Sequence, residues 1–284
     1  MNGRFPRGGG EPIWRRIRDF IAEPLQAAAE EQRSYLNSPQ GQRFDWRVAI
    51  MLVSVAVLLT VQKYAVIDSG GTGWGVQEHL IDWLENSYRG LSPQLDYDDH
   101  DRLASLTYWA LGNFVLYVLV PAAIIKRLFR ERLAEHGAKL RGWHDCWWVY
   151  LAMYLIMLPA ILLASSWESF QHKYPFYRLH PIGPKFYVWE IWYAVQFMSL
   201  EFFFRGFMVQ TGRKRFGAYT ILVMMVPYCM IHFGKPMAET LGAIVAGVLL
   251  GFMALKTRSI WLGAALHIAV AWTMDAVAVW QRSF

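Results

Sequence analysis

Four ionisable residues stand out because their surroundings are apolar. Glu201 and Arg205 lie in the run FMSLEFFFRGFMV, His232 in VPYCMIHFGKP and His267 in LGAALHIAVAW. A carboxylate beside a histidine can take a proton from water and make that water a nucleophile. A second histidine can donate a hydrogen bond to a developing oxyanion. Arg205, four residues after Glu201, falls on the same helical face and can hold the carboxylate charged and oriented. Alternatively, Glu201, His232 and His267 form a carboxylate and two-histidine set of the kind that suits zinc with an open fourth position. Both routes lead to hydrolysis. A third reading is structural, since buried polar groups also bond membrane helices to one another. The set as a whole argues for chemistry more strongly than any one member does.

The elements that must position these residues are membrane helices. The chain of 284 residues is 55% hydrophobic and 16% aromatic, and apolar stretches near the roughly 20 residues that cross a bilayer recur along it. Seven spans are expected, over 47–67, 105–125, 146–165, 186–210, 218–233, 238–255 and 259–280, which makes an all-α polytopic membrane protein. Ionisable groups at that depth cost several kcal/mol by most estimates and mark function more often than they fill space. Pro121, Pro159 and Pro227 fall inside spans, where neighbours can re-satisfy the freed carbonyls. Pro227 precedes His232 by just over one turn. Gly247 with Gly251, and Gly242 with Ala246, read as close-packing pairs.

The net charge of +6 is a matter of topology and not of nucleic-acid binding. With the N-terminus on the cytoplasmic side, nineteen of the 28 Lys and Arg fall in inner segments. That asymmetry sets the orientation N-in, C-out for seven spans, and the basic surplus faces anionic lipid. Cys146 and Cys229 both fall in spans and give neither a disulfide framework nor metal-ligand spacing. The first 44 residues hold no apolar core followed by a small-residue site, so no cleavable leader is expected.

Outside the spans, residues 1–10 are Gly- and Arg-rich and read as disordered. From 11 to about 35, Ile13, Trp14, Ile17, Phe20, Ile21 and Leu25 recur at helical spacing against Arg15, Arg16 and Arg18. Such a helix lies on the membrane surface or packs on the cytoplasmic loops. The stretch 68–104 is acidic, with a short amphipathic helix marked by Val76, Leu80, Ile81, Leu84 and Tyr88. Its DYDDHD run lacks the glycine and terminal Glu of a calcium loop and reads as a solvated loop.

Depth arithmetic brings the polar residues together. At about 1.5 Å per residue, Glu201 lies roughly 16 Å, His232 roughly 21 Å and His267 roughly 12 Å from the inner face, within about 10 Å of one level. Asp275 follows His267 by two turns on one face. Glu239 follows His232 by two turns, across the Gly234–Lys235–Pro236 break.

These residues resemble the type II CAAX prenyl endopeptidases, also called the CPBP or abortive-infection family of intramembrane proteases. The family's first motif is Glu-Glu-x-x-x-Arg followed by Gly, and SLEFFFRG supplies Glu201, Arg205 and Gly206. Its second is Phe-x-x-x-His, matched by Tyr228 to His232 with Tyr for Phe. Its third is His-x-x-x-Asn, where His267 aligns and Ala271 stands in place of Asn. Leu200 stands where the family has its first Glu. The resemblance covers about 186–280 and implies an intramembrane endopeptidase acting on a membrane-associated protein or peptide near its terminus. In the family the first Glu and the second-motif His activate water, while the third-motif His and Asn hold the oxyanion. Here Glu201 and His232 are the expected activators and His267 the oxyanion donor, supported by Arg205, Tyr228, Glu239 and Asp275. The alternative is a non-catalytic relative that binds or regulates a peptide. A transporter fits less well, because no internal repeat is apparent and the polar set is confined to the second half.

The expected organisation is a cytoplasmic segment over 1–44, two spans with an acidic outer and a basic inner loop over 45–145, and a catalytic helical core over 146–284. The expected partners are the substrate and the bilayer, with no nucleic acid. The Arg-rich, short-looped chain without organelle signals points to a bacterial inner membrane.

Overall fold

Hydrocarbon leaves a long apolar segment two ways to satisfy its backbone, the helix and the closed barrel. In the computed structural model the described residues form helices joined by turns and short loops, with no strand among them. The structure describes residues 12–67, 76–91, 97–139, 144, 146–177 and 183–282. The disorder expected over 1–10 lies outside them.

The helices in chain order are α1 Ile13–Leu36, α2 Trp46–Val61, α3 Val76–Leu91 and α4 Tyr97–Phe114. They continue with α5 Trp147–Ser165, α6 Pro184–Glu201, α7 Thr220–Met230, α8 Met237–Thr257 and α9 Trp261–Arg282. Wider π-helical turns prolong α2 over Gln62–Ile67 and recur beyond α4 over Val115–Leu119 and Ile124–Phe129. That last stretch flanks Pro121, whose ring removes one ladder bond. The amphipathic helix expected within 68–104 is α3. The acidic run is not the loop expected of it, because α4 starts at Tyr97.

Five helical segments are long and apolar enough to span a bilayer among the described residues: Trp46–Val66, Arg102–Phe129, Trp147–Ser165, Met237–Thr257 and Trp261–Gln281. An all-α polytopic membrane protein fits them. The other two expected spans are not among them. The stretch read as 186–210 is α6 continued by π-helical Phe202–Val209 and about two further turns, Gln210–Phe216. The stretch read as 218–233 holds only the 11-residue α7, about 17 Å long.

The chain divides into two compact units. One gathers 1–54, 123–150 and 201–263, and the other 55–122, 151–200 and 264–284. In the first, α7 and α8 form a hairpin. A Cβ on Gly247 would lie 3.1 Å from Met225, and one on Gly251 2.8 Å from Met224, so the pair does permit close packing. Gly242 faces open space, and its expected role in packing is not seen. The segment 131–139 folds under the motif helix: the His136 carbonyl lies 2.8 Å from where a Cβ of Gly206 would stand. The Ile260 N–H donates to the Gly137 carbonyl at 3.2 Å and the Trp261 indole to the Lys139 carbonyl at 3.0 Å. In the second unit α3 and α4 form a hairpin tied by Tyr88 and Thr107 hydroxyls at 2.9 Å. Its core is Leu103, Leu106, Tyr177, Trp189, Tyr193 and Ala271.

Candidate functional site

In the first unit, Glu201 ends α6 and Arg205 lies in the π-helical stretch that follows. Their side chains pair at 3.0 Å, each only 1% exposed. Three phenylalanines around them, Phe203, Phe204 and Phe207, are fully buried, so the pair is sealed from water by the residues of its own motif. Glu201 also leans on the chain, its Oε2 lying 2.6 Å from where a Cβ on Gly263 would be. A side chain there would dislodge the carboxylate.

The Arg205 guanidinium lies 4.1 Å over the Tyr228 ring, a cation–π contact strengthened by the absence of water. On the next turn the His232 ring is 4.9 Å from the Tyr228 ring. Tyr228 thus links the ion pair to the histidine, and its Phe-to-Tyr difference from the family motif keeps the aromatic face that both partners need. His232 does not sit inside a helix, as the apolar run around it suggests. α7 ends at Met230, and His232 lies in the turn leading to α8. Its Nδ1–H donates to the Tyr228 carbonyl at 2.8 Å. A carbonyl only accepts, so this bond fixes the tautomer of the neutral ring and places the lone pair on Nε2. The turn is braced from both sides. The His232 carbonyl accepts from the Lys235 N–H and from the Thr240 hydroxyl, each at 3.0 Å, and Lys235 pairs with Glu239 one turn on.

The second unit holds His267 and Asp275, both on α9. His267 is half-buried and stacks on Phe197 with ring centroids 5.4 Å apart. Asp275 is fully buried and accepts from the Trp189 indole at 3.3 Å. Ala271, where the family motif has Asn, is 2% exposed and packed in the aromatic core. Glu190 on α6 is 9% exposed and interacts with Asp275, and its backbone carbonyl accepts from the Trp272 indole at 3.2 Å. Sequence reasoning missed Glu190. The signal was present, a lone carboxylate in the apolar run WEIWYAV, but no motif drew attention to it.

The donor set fits a metal poorly. Among the described residues no group of three or more His, Cys, Asp or Glu side chains is gathered as a metal requires. The carboxylate of the expected set, Glu201, is committed to Arg205. No step below runs through a metal.

A polar cluster outside the spans lies beside the motif helix in the first unit. Glu131 bridges Arg47 at 2.6 Å and His136 at 2.9 Å. Burial holds the His136 pKa below its ordinary value, against the pull of Glu131. Burial would raise Glu131, but the hydrogen bond to His136 and the charges of Arg47 and Lys214 outweigh it and hold that carboxyl below its usual range.

Comparison with protein families finds a similarity over part of the chain. Residues 183–273 match the family model of the type II CAAX prenyl endopeptidase Rce1-like proteins. The chain carries an Rce1-like domain. No curated protein and no solved structure matches the chain. The Rce1-like segment contains Glu201, Arg205, Tyr228, His232, Glu239 and His267 and ends before Asp275. It supports a membrane protein of the CAAX-protease type.

Proposed function

We propose that this Rce1-like protein is an intramembrane endopeptidase that cleaves a membrane-associated protein or peptide near its terminus. The observation that supports this reading best is the hydrogen bond from His232 Nδ1–H to the Tyr228 carbonyl. It leaves Nε2 as the proton acceptor, as a general base requires. In this scheme Nε2 takes a proton from water as the water oxygen attacks the scissile carbonyl carbon. An oxyanion results, for which His267 is the donor that the motif leads one to expect; its collapse expels the amine, which receives the proton from His232. The Glu201–Arg205 pair acts through Tyr228 as a positioning element for His232. In this scheme the base is His232 and not Glu201, whose charge is matched by a buried guanidinium.

A second reading has its own support. Leu200 is 6% exposed and Ala271 2% exposed, and at these two positions an apolar residue replaces the polar one of the family motif. A peptide-binding relative without turnover would keep the fold and the ion pair in this form. The two readings separate in one experiment. Purified full-length protein is reconstituted with candidate membrane peptides, and wild type is compared with His232→Ala and His267→Ala, each checked for thermal stability. The endopeptidase reading expects turnover by wild type and a loss of roughly 100-fold or more in His232→Ala. Undiminished cleavage in both variants would sink it. Peptide retention by wild type without cleavage would establish the binding reading.

A further inference from the structure

One face of α1 changes its surroundings along its length. Near its end, Pro24 and Ala28 are buried and Glu31 pairs with Arg213 and with Arg258, so this half is fastened to the first unit. At about 100° per residue, Ile13, Trp14, Ile17 and Ile21 continue the same stripe as Pro24 and Ala28. These four are 67%, 56%, 55% and 48% exposed. Arg16 and Arg18 border the stripe on its two sides, and Arg15 and Arg18 lie 5.4 Å and 5.8 Å from the Trp14 ring.

The level of this face is set by Phe20. Its ring lies 5.8 Å from that of Trp148 and 6.2 Å from that of Phe252, and Lys256 sits 4.1 Å over it. Trp148 is at the start of one span and Phe252 and Lys256 are at the end of another. The exposed stripe therefore begins at the height where spans leave the hydrocarbon.

We infer that the first turns of α1 lie in the surface of an anionic phospholipid leaflet, with Ile13, Trp14, Ile17 and Ile21 among the upper acyl carbons. Arg15, Arg16 and Arg18 reach the phosphates. The apolar stripe supplies insertion and the arginines supply preference for negative lipid. This assignment does not depend on whether the Rce1-like domain cleaves peptide.

The test uses the full chain with Cys146→Ala and Cys229→Ala and an environment-sensitive dye on Ile17→Cys. Glu23→Cys, exposed on the opposite face, is the control. The protein is reconstituted in phosphatidylcholine vesicles with and without phosphatidylglycerol. In the anionic vesicles, spin-labelled lipid is expected to quench the Ile17 label and aqueous iodide the Glu23 label. Each of Arg15→Gln, Arg16→Gln and Arg18→Gln should lower lipid contact by up to about fivefold, with the melting temperature unchanged. Equal iodide quenching at both positions would overturn the proposal. So would shielding of Ile17 that ignores lipid charge, or that scales with protein density, which would mark a second copy as the occupant.

Discussion

Glu201 and Arg205 are each 1% exposed, and a pair so buried is worth most as a pair. Removing one charge strands the other, at a cost of about 3–5 kcal/mol, whereas replacing both with apolar residues costs much less. Glu201→Gln is therefore expected to destabilise the protein more than the double change Glu201→Leu with Arg205→Met, measured by thermal unfolding in detergent. The opposite ranking would show that water or another cation reaches the carboxylate. Ala271→Asn makes a second case. It would insert an amide among Leu103, Trp189 and Tyr193, and a buried amide without a partner costs about 1–3 kcal/mol. A melting temperature equal to wild type would reveal a polar partner there. Both residues were legible in the sequence as charged or missing positions in a motif. The pairing of Glu201 with Arg205 was legible from their spacing; the burial of the pair and the approach of Glu201 to Gly263 were not, because burial depends on side chains far along the chain.

The decisive elements are short. α7 has 11 residues, and it places His232 in a turn instead of a helix. The apolar composition of 218–233 reads as one span because hydropathy averages over the turn, and a window cannot sense that a helix has stopped. The α7–α8 hairpin depends on Gly251, whose missing side chain leaves room for Met224 and Ile221. Gly251→Val should force those two chains apart at a cost of about 1–3 kcal/mol. Reduced stability together with altered reactivity of His232 is expected, and Gly242→Val, which faces open space, should do neither. Unequal effects in the reverse order would mean that the hairpin does not hold the turn.

Across the molecule, an all-α polytopic chain was legible in the recurring apolar stretches of bilayer length, while the turn that ends α7 after 11 residues was not, because composition does not mark it. The polar cluster around Glu131 and His136 adds a pH dependence at this scale. Burial lowers the His136 pKa, so the unfolded chain takes up its proton first. The Glu131 carboxyl is held low, so it too favours the folded state only while ionised. Stability from this cluster is present at neutral pH and falls on acidification, first below the ordinary histidine range near pH 6.5 and again in the carboxylate range. Hydrogen exchange of 131–137 should therefore speed up between neutral pH and about pH 5 relative to the intrinsic rate, and His136→Gln should flatten the first step. Protection that rises on acidification would reverse the assignment.

The π-helical stretch Phe202–Val209 has one further implication. Its wider turns advance less angle per residue than an α-helix does, so the face presented after Val209 is out of phase with the face before Glu201. Gln210 on the far side is 4% exposed and donates to the Ala254 carbonyl at 3.0 Å, while Arg213 reaches Glu31. The wide stretch works as a phase shifter: it lets one continuous helix point Glu201 and Arg205 inward and still deliver Gln210 and Arg213 to different partners. Deleting a single residue from it would return the helix to ordinary winding and rotate one of these two sets away from its targets.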